Sequence, residues 1–222
     1  MTWARVQGTS SPSASATFGG AVAIGHLVIV CVASGTTITA VSDTVNTYTL
    51  AKQTSGVTFS SIWYTVNTSN TALVVTASGG TFPAISIDEY SFTAGTISTP
   101  STNGGTGVSN SPSCGNVAFT HPALVTGCIA EGVIETLTPA TNFVLQESVT
   151  YGAGTNYGLQ FLTYANAASS PQDPRGTWAT STAWTGSAVA FLSSGDSGGV
   201  GAGVGVSQMY TGLQRMIQKV HY

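Results

Sequence analysis

An all-β fold is predicted for this 222-residue chain by three features: a composition poor in helix formers, a series of short apolar–polar runs, and the return of those runs in the second half. Charged residues make up only 6% of the sequence, so Glu, Lys and Arg are scarce, while Thr, Val, Tyr and Phe suit the half-buried pleated surface of a strand. The expected architecture is a two-sheet antiparallel β-sandwich, jelly-roll or Greek-key-like and internally duplicated, spanning residues 1–194. A Gly-rich linker at 195–205 and a short amphipathic helix at 206–222 are expected to follow it.

The strands are read from alternation bounded by Gly, Asn, Ser or Pro. Candidates in chain order are "HLVIVCVAS", "ITAVSD", "TYTLAKQ", "SSIWYTV", "TALVVTA", "AISIDEYSF", "ALVTGCIAE", "FVLQESV", "YGLQFLTYA", "GTWATS" and "GSAVAFLS". The repeat is read from the same runs. "LVIVCVA" from Leu27 returns as "LVTGCIA" from Leu124, which places Cys31 on Cys128. "NTYTLAKQ" then meets "TNFVLQES", "YTVNTS" meets "YANAAS", and "AISIDEYS" meets "SAVAFLSS". Two such halves, joined by the Gly/Ser/Asn/Pro stretch Thr99 to Ser113, would supply the two facing sheets of one sandwich, the alternative being two tandem small domains.

The pattern "GHLVIVCVAS…VSDTVNTYTLAKQ…SSIWYTVNTSNTALVVTAS…AISIDEYSF", closing on "GSAVAFLSS", resembles a β-sandwich module that recurs in bacteriophage virion and bacterial surface proteins. The shared cues are the G-[NHD]-L opening strand, the "VSDTVNTYT" turn, the aromatic-Tyr strand ending in Asn, and the "EY" strand, over about Met1 to Ser194. Thr44 and Val45 depart from it, since the turn otherwise carries small residues and glycine. The resemblance implies a non-enzymatic part of a virion or cell surface. In the turn itself, Asp43 and Asn46 are expected to bond back to nearby backbone N–H groups and to set a register in which Tyr48 and Leu50 face inward.

Charge narrows the partners. A net charge of −3, with five Lys and Arg scattered at Arg5, Lys52, Arg175, Arg215 and Lys219, cannot build the basic stripe that nucleic acid requires. The longest apolar run, Ala21 to Ala33, is shorter than the roughly 20 residues of a membrane helix. The N-terminus has no basic-then-apolar leader, so synthesis in a host cytoplasm is expected. Cys31, Cys114 and Cys128 lack zinc spacing and read as buried thiols, with one disulfide as the alternative; no metal or cofactor is expected.

One motif argues for catalysis. Gly195-Asp196-Ser197-Gly198-Gly199 matches the nucleophile signature of trypsin-like proteases, and His26, Asp88 and Ser197 stand in the required order. Against it, His26 opens a strand, and Val200 to Gly205 read as a tether rather than as the wall of a specificity pocket. Catalysis by Ser197 is therefore the remote alternative. Adjacent Asp88 and Glu89 must face opposite sides of a strand, with Glu89 expected toward solvent, and Glu131 and Glu135 read as a strand end rather than a glycosidase pair. His121 reads as a loop residue. Trp3, Trp63, Trp178 and Trp184 are candidates for stacking on a cell-surface glycan, although the alternation around Trp63 favours a core role.

Beyond the glycines, Val206, Met209, Tyr210, Leu213, Met216, Ile217 and Val220 recur at helical spacing, forming an apolar stripe. A helix of about 15 residues is marginal alone and must bury that stripe. These residues are expected to dock on another subunit. The sequence thus points to a structural protein displayed on a bacteriophage particle, partnered by other virion proteins and copies of itself, with a glycan-binding adhesin as the second reading.

Overall fold

The computed structural model describes residues 2–93, 95–98, 100–120, 122–151 and 157–193. Within them every regular element is a β-strand and all pairings are antiparallel. The first half contains β1 (Trp3–Ser11), β2 (Ser15–Thr17), β3 (Leu27–Ser34), β4 (Ile38–Ser42), β5 (Thr49–Ser55), β6 (Phe59–Val66), β7 (Val74–Gly79) and β8 (Ala84–Phe92). The second contains β9 (Ser101–Ser109), β10 (Ala123–Glu131), β11 (Thr138–Pro139), β12 (Val144–Tyr151), β13 (Tyr157–Ala167), β14 (Gly176–Thr177) and β15 (Thr182–Phe191).

Two five-stranded sheets, β1-β8-β3-β6-β5 and β12-β13-β10-β15-β9, pack face to face. The sequence repeat is structural, because exchanging the halves turns one sheet order into the other. The central core between them holds Leu27, Ile29, Cys31, Tyr90, Leu124, Cys128, Phe161 and Phe191. Strands β3 and β10 lie over one another at its centre, with Cys31 and Cys128 in mutual thiol contact. All three cysteines are free and buried.

Each large sheet also carries a second core on its outer face. The three-stranded sheet β2-β7-β4 covers the first, enclosing Val28, Val30, Val32, Ile85 and Ile87. The two-stranded sheet β11-β14 and adjoining segments cover the second, enclosing Cys114, Val125, Ile129, Phe143 and Trp178. Central strands are therefore buried on both faces, which is why β3 and β10 read as nearly unbroken apolar runs. The halves share one sandwich interface, and each also builds a smaller sandwich of its own.

Three readings are corrected. The stretch Thr99 to Ser113 is not merely a linker, since β9 within it pairs with β15 over nine consecutive residues. Its glycines fit the packing: a Cβ on Gly105 or Gly107 would press on the Trp184 ring at 3.2 and 3.0 Å. Leu50 is 41% exposed while Tyr48 is buried, because β5 runs beyond the small sheet that covers its neighbours. The two halves also align differently in the closing strand: Ser86 lies opposite Cys31 and Ser187 opposite Cys128, so Ser187 corresponds to Ser86 rather than to Ala84. The linker at 195–205 and the helix at 206–222 lie outside the described residues.

Candidate functional site

Charged side chains are few, and the structure gathers several of them at one margin of the interface between the halves. Arg5 on β1 donates from Nε to Asp88 Oδ2 at 3.1 Å and from Nη2 to Asp88 Oδ1 at 2.8 Å. The same Nη2 donates to Glu147 Oε1 on the opposite sheet at 3.1 Å, and Ser10 Oγ donates to Glu147 Oε2 at 2.9 Å. Gly8 makes room for the pair, because a Cβ there would lie 1.6 Å from Asp88 Oδ1. Burial pushes the Asp88 carboxyl up to about 6 despite the opposing pull of Arg5, while the hydrogen bond to Asp88 raises Arg5. The guanidinium therefore holds the two halves together without fully offsetting the cost of burying the Asp88 charge.

Hydroxyl contacts clamp the opposite margin. Ser187 Oγ donates to Ser60 O at 3.0 Å, and Thr185 Oγ1 donates to Thr58 O at 2.9 Å. Thr58 Oγ1 donates to Ala130 O at 3.1 Å. Back on the Arg5 margin, Asn166, at φ 61°, accepts from Trp3 N and donates to Trp3 O at 2.7 and 3.0 Å, fastening the first strand to the second half.

Of the protease-like trio, His26 and Asp88 are not brought together. Asp88 faces the interface and Arg5, whereas His26 Nδ1 lies 2.6 Å from Glu89 Oε1 on the other face of the sheet. Glu89 is buried rather than solvent-facing, because the segment before β3 folds over it: Ala23 N donates to Oε1 at 3.0 Å and Gln7 Nε2 to Oε2 at 2.7 Å. The motif around Ser197 and the residue His121 lie outside the described residues.

Glu131 and Glu135 are brought close, with Gln160 Nε2 donating to Glu131 Oε1 at 2.8 Å and to Glu135 O at 3.2 Å. Burial raises Glu131 to about 7, yet the residue has no exposed surface. Its carboxyl occupies the space left by the absent Cβ of Gly158. Among the described residues, no group of three or more His, Cys, Asp or Glu is placed to hold a metal, and no helix is long and apolar enough to cross a membrane.

The "SDTVNTYT" turn forms as its residues suggest. Asp43 Oδ1 accepts from Val45 N and Asn46 N, both at 2.6 Å, and Oδ2 accepts from Tyr48 OH at 2.8 Å. Burial alone would raise Asp43, but the bonds from Asn46, Val45 and Tyr48 bring it below its ordinary value. Asn46 Nδ2 also donates to Asn67 Oδ1, and Asn67 Nδ2 donates to Val22 O, tying three loops into one rigid end.

All four tryptophans are buried, so none presents a flat face for a sugar. The surface offers depressions instead. One of about 480 Å³ is lined by Pro12, Ala14, Phe82, Pro83, Thr150 and Tyr151, with Phe82 half exposed at φ 48°, an uncommon backbone for a bulky residue. Another, about 380 Å³, is lined by Asn116, Thr141, Phe143, Gln172, Asp173 and Arg175. The docking residues Val206, Met209, Tyr210, Leu213, Met216, Ile217 and Val220 lie outside the described residues. No family model matches the chain, and neither a curated protein nor a solved structure matches it.

Proposed function

We propose that the chain is a non-catalytic structural protein of a bacteriophage virion, displayed on the particle as a capsid decoration or tail-associated component. The duplicated strand order carries this reading. The first half runs 1-8-3-6 in its large sheet, with β5 added at the edge, and 2-7-4 in its small one; the second half repeats the large sheet. That is the order of a jelly roll, an architecture that recurs in viral capsid and lectin domains, so the inference is by fold analogy. Two such halves, packed through their large sheets, make one block whose acids are largely spent on internal bonds. Residues 206–222 would anchor the block to other virion proteins or to further copies, with no cofactor.

The test is mass spectrometry of purified particles from a host carrying the gene, with the full chain and with residues 195–222 deleted. The reading expects the full chain in particles and the truncated chain folded but absent from them. A chain found only in the soluble lysate would overturn the virion assignment, and a truncated chain incorporated normally would overturn the role of the arm. Glycan binding is a second reading, favoured by the Arg175 depression, where Asn116, Thr141 and Gln172 offer sugar hydroxyls polar partners. Arrayed glycans retained by the full chain and lost on Arg175→Ala would support it.

A further inference from the structure

The two large sheets have four edge strands, and three of them are blunted in the same way. Register shifts by one residue between Arg5 and Gln7 in β1, between Leu50 and Lys52 in β5, and between Leu145 and Glu147 in β12. Each bulge has a charged residue beside it, and bulges and charges are the devices by which edges avoid pairing with another chain. The small sheets end on short strands or, in β4, on a further bulge. Strand β9 differs from all of these. It pairs with β15 without interruption from Ser101 to Ser109, carries no charge and no proline, and has no strand on its outer side among the described residues.

A second feature lies at the same place. Val108 on β9 and Val57 in the β5–β6 turn are 72% and 70% exposed, the highest values among the exposed large apolar residues described. They share one end of this flank, since a Cβ on Gly56, next to Val57, would lie 2.5 Å from Thr106 Oγ1.

We infer that β9 is a self-association edge, pairing antiparallel with β9 of a second copy so that the five-stranded sheet continues across a twofold axis. An isologous contact requires a surface that tolerates its own image, and an uncharged straight strand does so. Lys52 sets the register. Its side chain lies against Gly104, where a Cβ would meet Lys52 Cε at 3.0 Å. An axis at Gly105 would bring the two lysines within about 7 Å along the strands, whereas an axis near Gly107 separates them by about 20 Å, well beyond a Debye length. The second position also sets Val108 against Thr106 of the second copy and beside that copy's Val57. The inference goes beyond the virion reading and concerns the isolated chain, so either can fail without the other.

The test uses the full chain, with light scattering after size exclusion and hydrogen exchange across a concentration series. Wild type is expected to run at twice the mass of one chain, with amides of residues 101–109 exchanging more slowly as concentration rises. Val108→Lys and Val57→Lys, both at exposed positions, are expected to weaken association at least tenfold while leaving the circular dichroism unchanged. Val144→Lys, also at an exposed position but on the bulged edge β12, is expected to leave it intact. A monomeric wild type, concentration-independent exchange in β9, a dimer that survives Val108→Lys, or equal dissociation by Val144→Lys would each overturn the inference.

Discussion

Glu131→Gln is expected to stabilise the protein at alkaline pH and to leave it nearly unchanged in acid. The Glu131 carboxyl has no exposed surface; one oxygen accepts from Gln160 and the other, Oε2, has no partner. Burial is the main cause of its rise from 4.5 to about 7; the bonds from Gln160 and the Glu135 backbone oppose that rise, and the Glu135 charge adds to it. Between those values the folded chain keeps a proton that the unfolded chain has released. Stability therefore falls as pH climbs through the window, by about 3 kcal/mol if the whole shift is expressed.

Glutamine is neutral throughout, and its amide oxygen can still accept from Gln160 Nε2. Urea unfolding followed by tryptophan fluorescence should give matching stabilities for the two proteins at about pH 4, and a variant more stable by about 2 to 3 kcal/mol near pH 8. Asp88, raised to about 6 chiefly by burial, adds a slope of the same sign between 3.8 and 6, but it is common to both proteins and cancels in the difference. A variant destabilised at the higher pH, or shifted equally at both, would refute a buried carboxyl that resists ionisation.

Gly8→Ala should be among the most damaging single-methyl additions, because the new Cβ would fall 1.6 Å from Asp88 Oδ1 and 2.2 Å from Arg5 Nη2. Displacing the partly exposed Arg5 from the buried Asp88 carboxyl costs about 1 to 3 kcal/mol, readable as a lower urea midpoint, and Gly19→Ala, where a Cβ meets nothing within 4 Å, is the matched control. The three thiols should resist iodoacetamide in the native protein and react on unfolding, since Cys31, Cys114 and Cys128 are fully buried and burial raises the Cys31 and Cys114 thiols well above their ordinary value. Rapid native labelling of any one would contradict the layered packing.

Strands with their own apolar alternation were legible in advance: "AISIDEYSF" and "ALVTGCIAE" coincide with β8 and β10 from end to end. Strand β9, "STNGGTGVS", was not, because its order comes from β15 alongside and Trp184 above rather than from its own side chains. Asp88 and Glu89 were placed on opposite faces by the two-residue period of a strand, and they occupy opposite faces. That Glu89 is buried depends on Gln7 and on the loop carrying Ala23, neither of which signals its destination.

What the amino-acid order determined by itself is whatever a strand's period encodes: the all-β class, most strand positions, and a duplication that sets Cys31 opposite Cys128. Tertiary structure alone decided how many layers cover each sheet, which carboxylates share a cation, and which edge is left straight and uncharged. The reason is range. Alternation records that a face is covered, but the covering groups come from strands dozens of residues away, and only their packing selects which face, pair or edge each one meets.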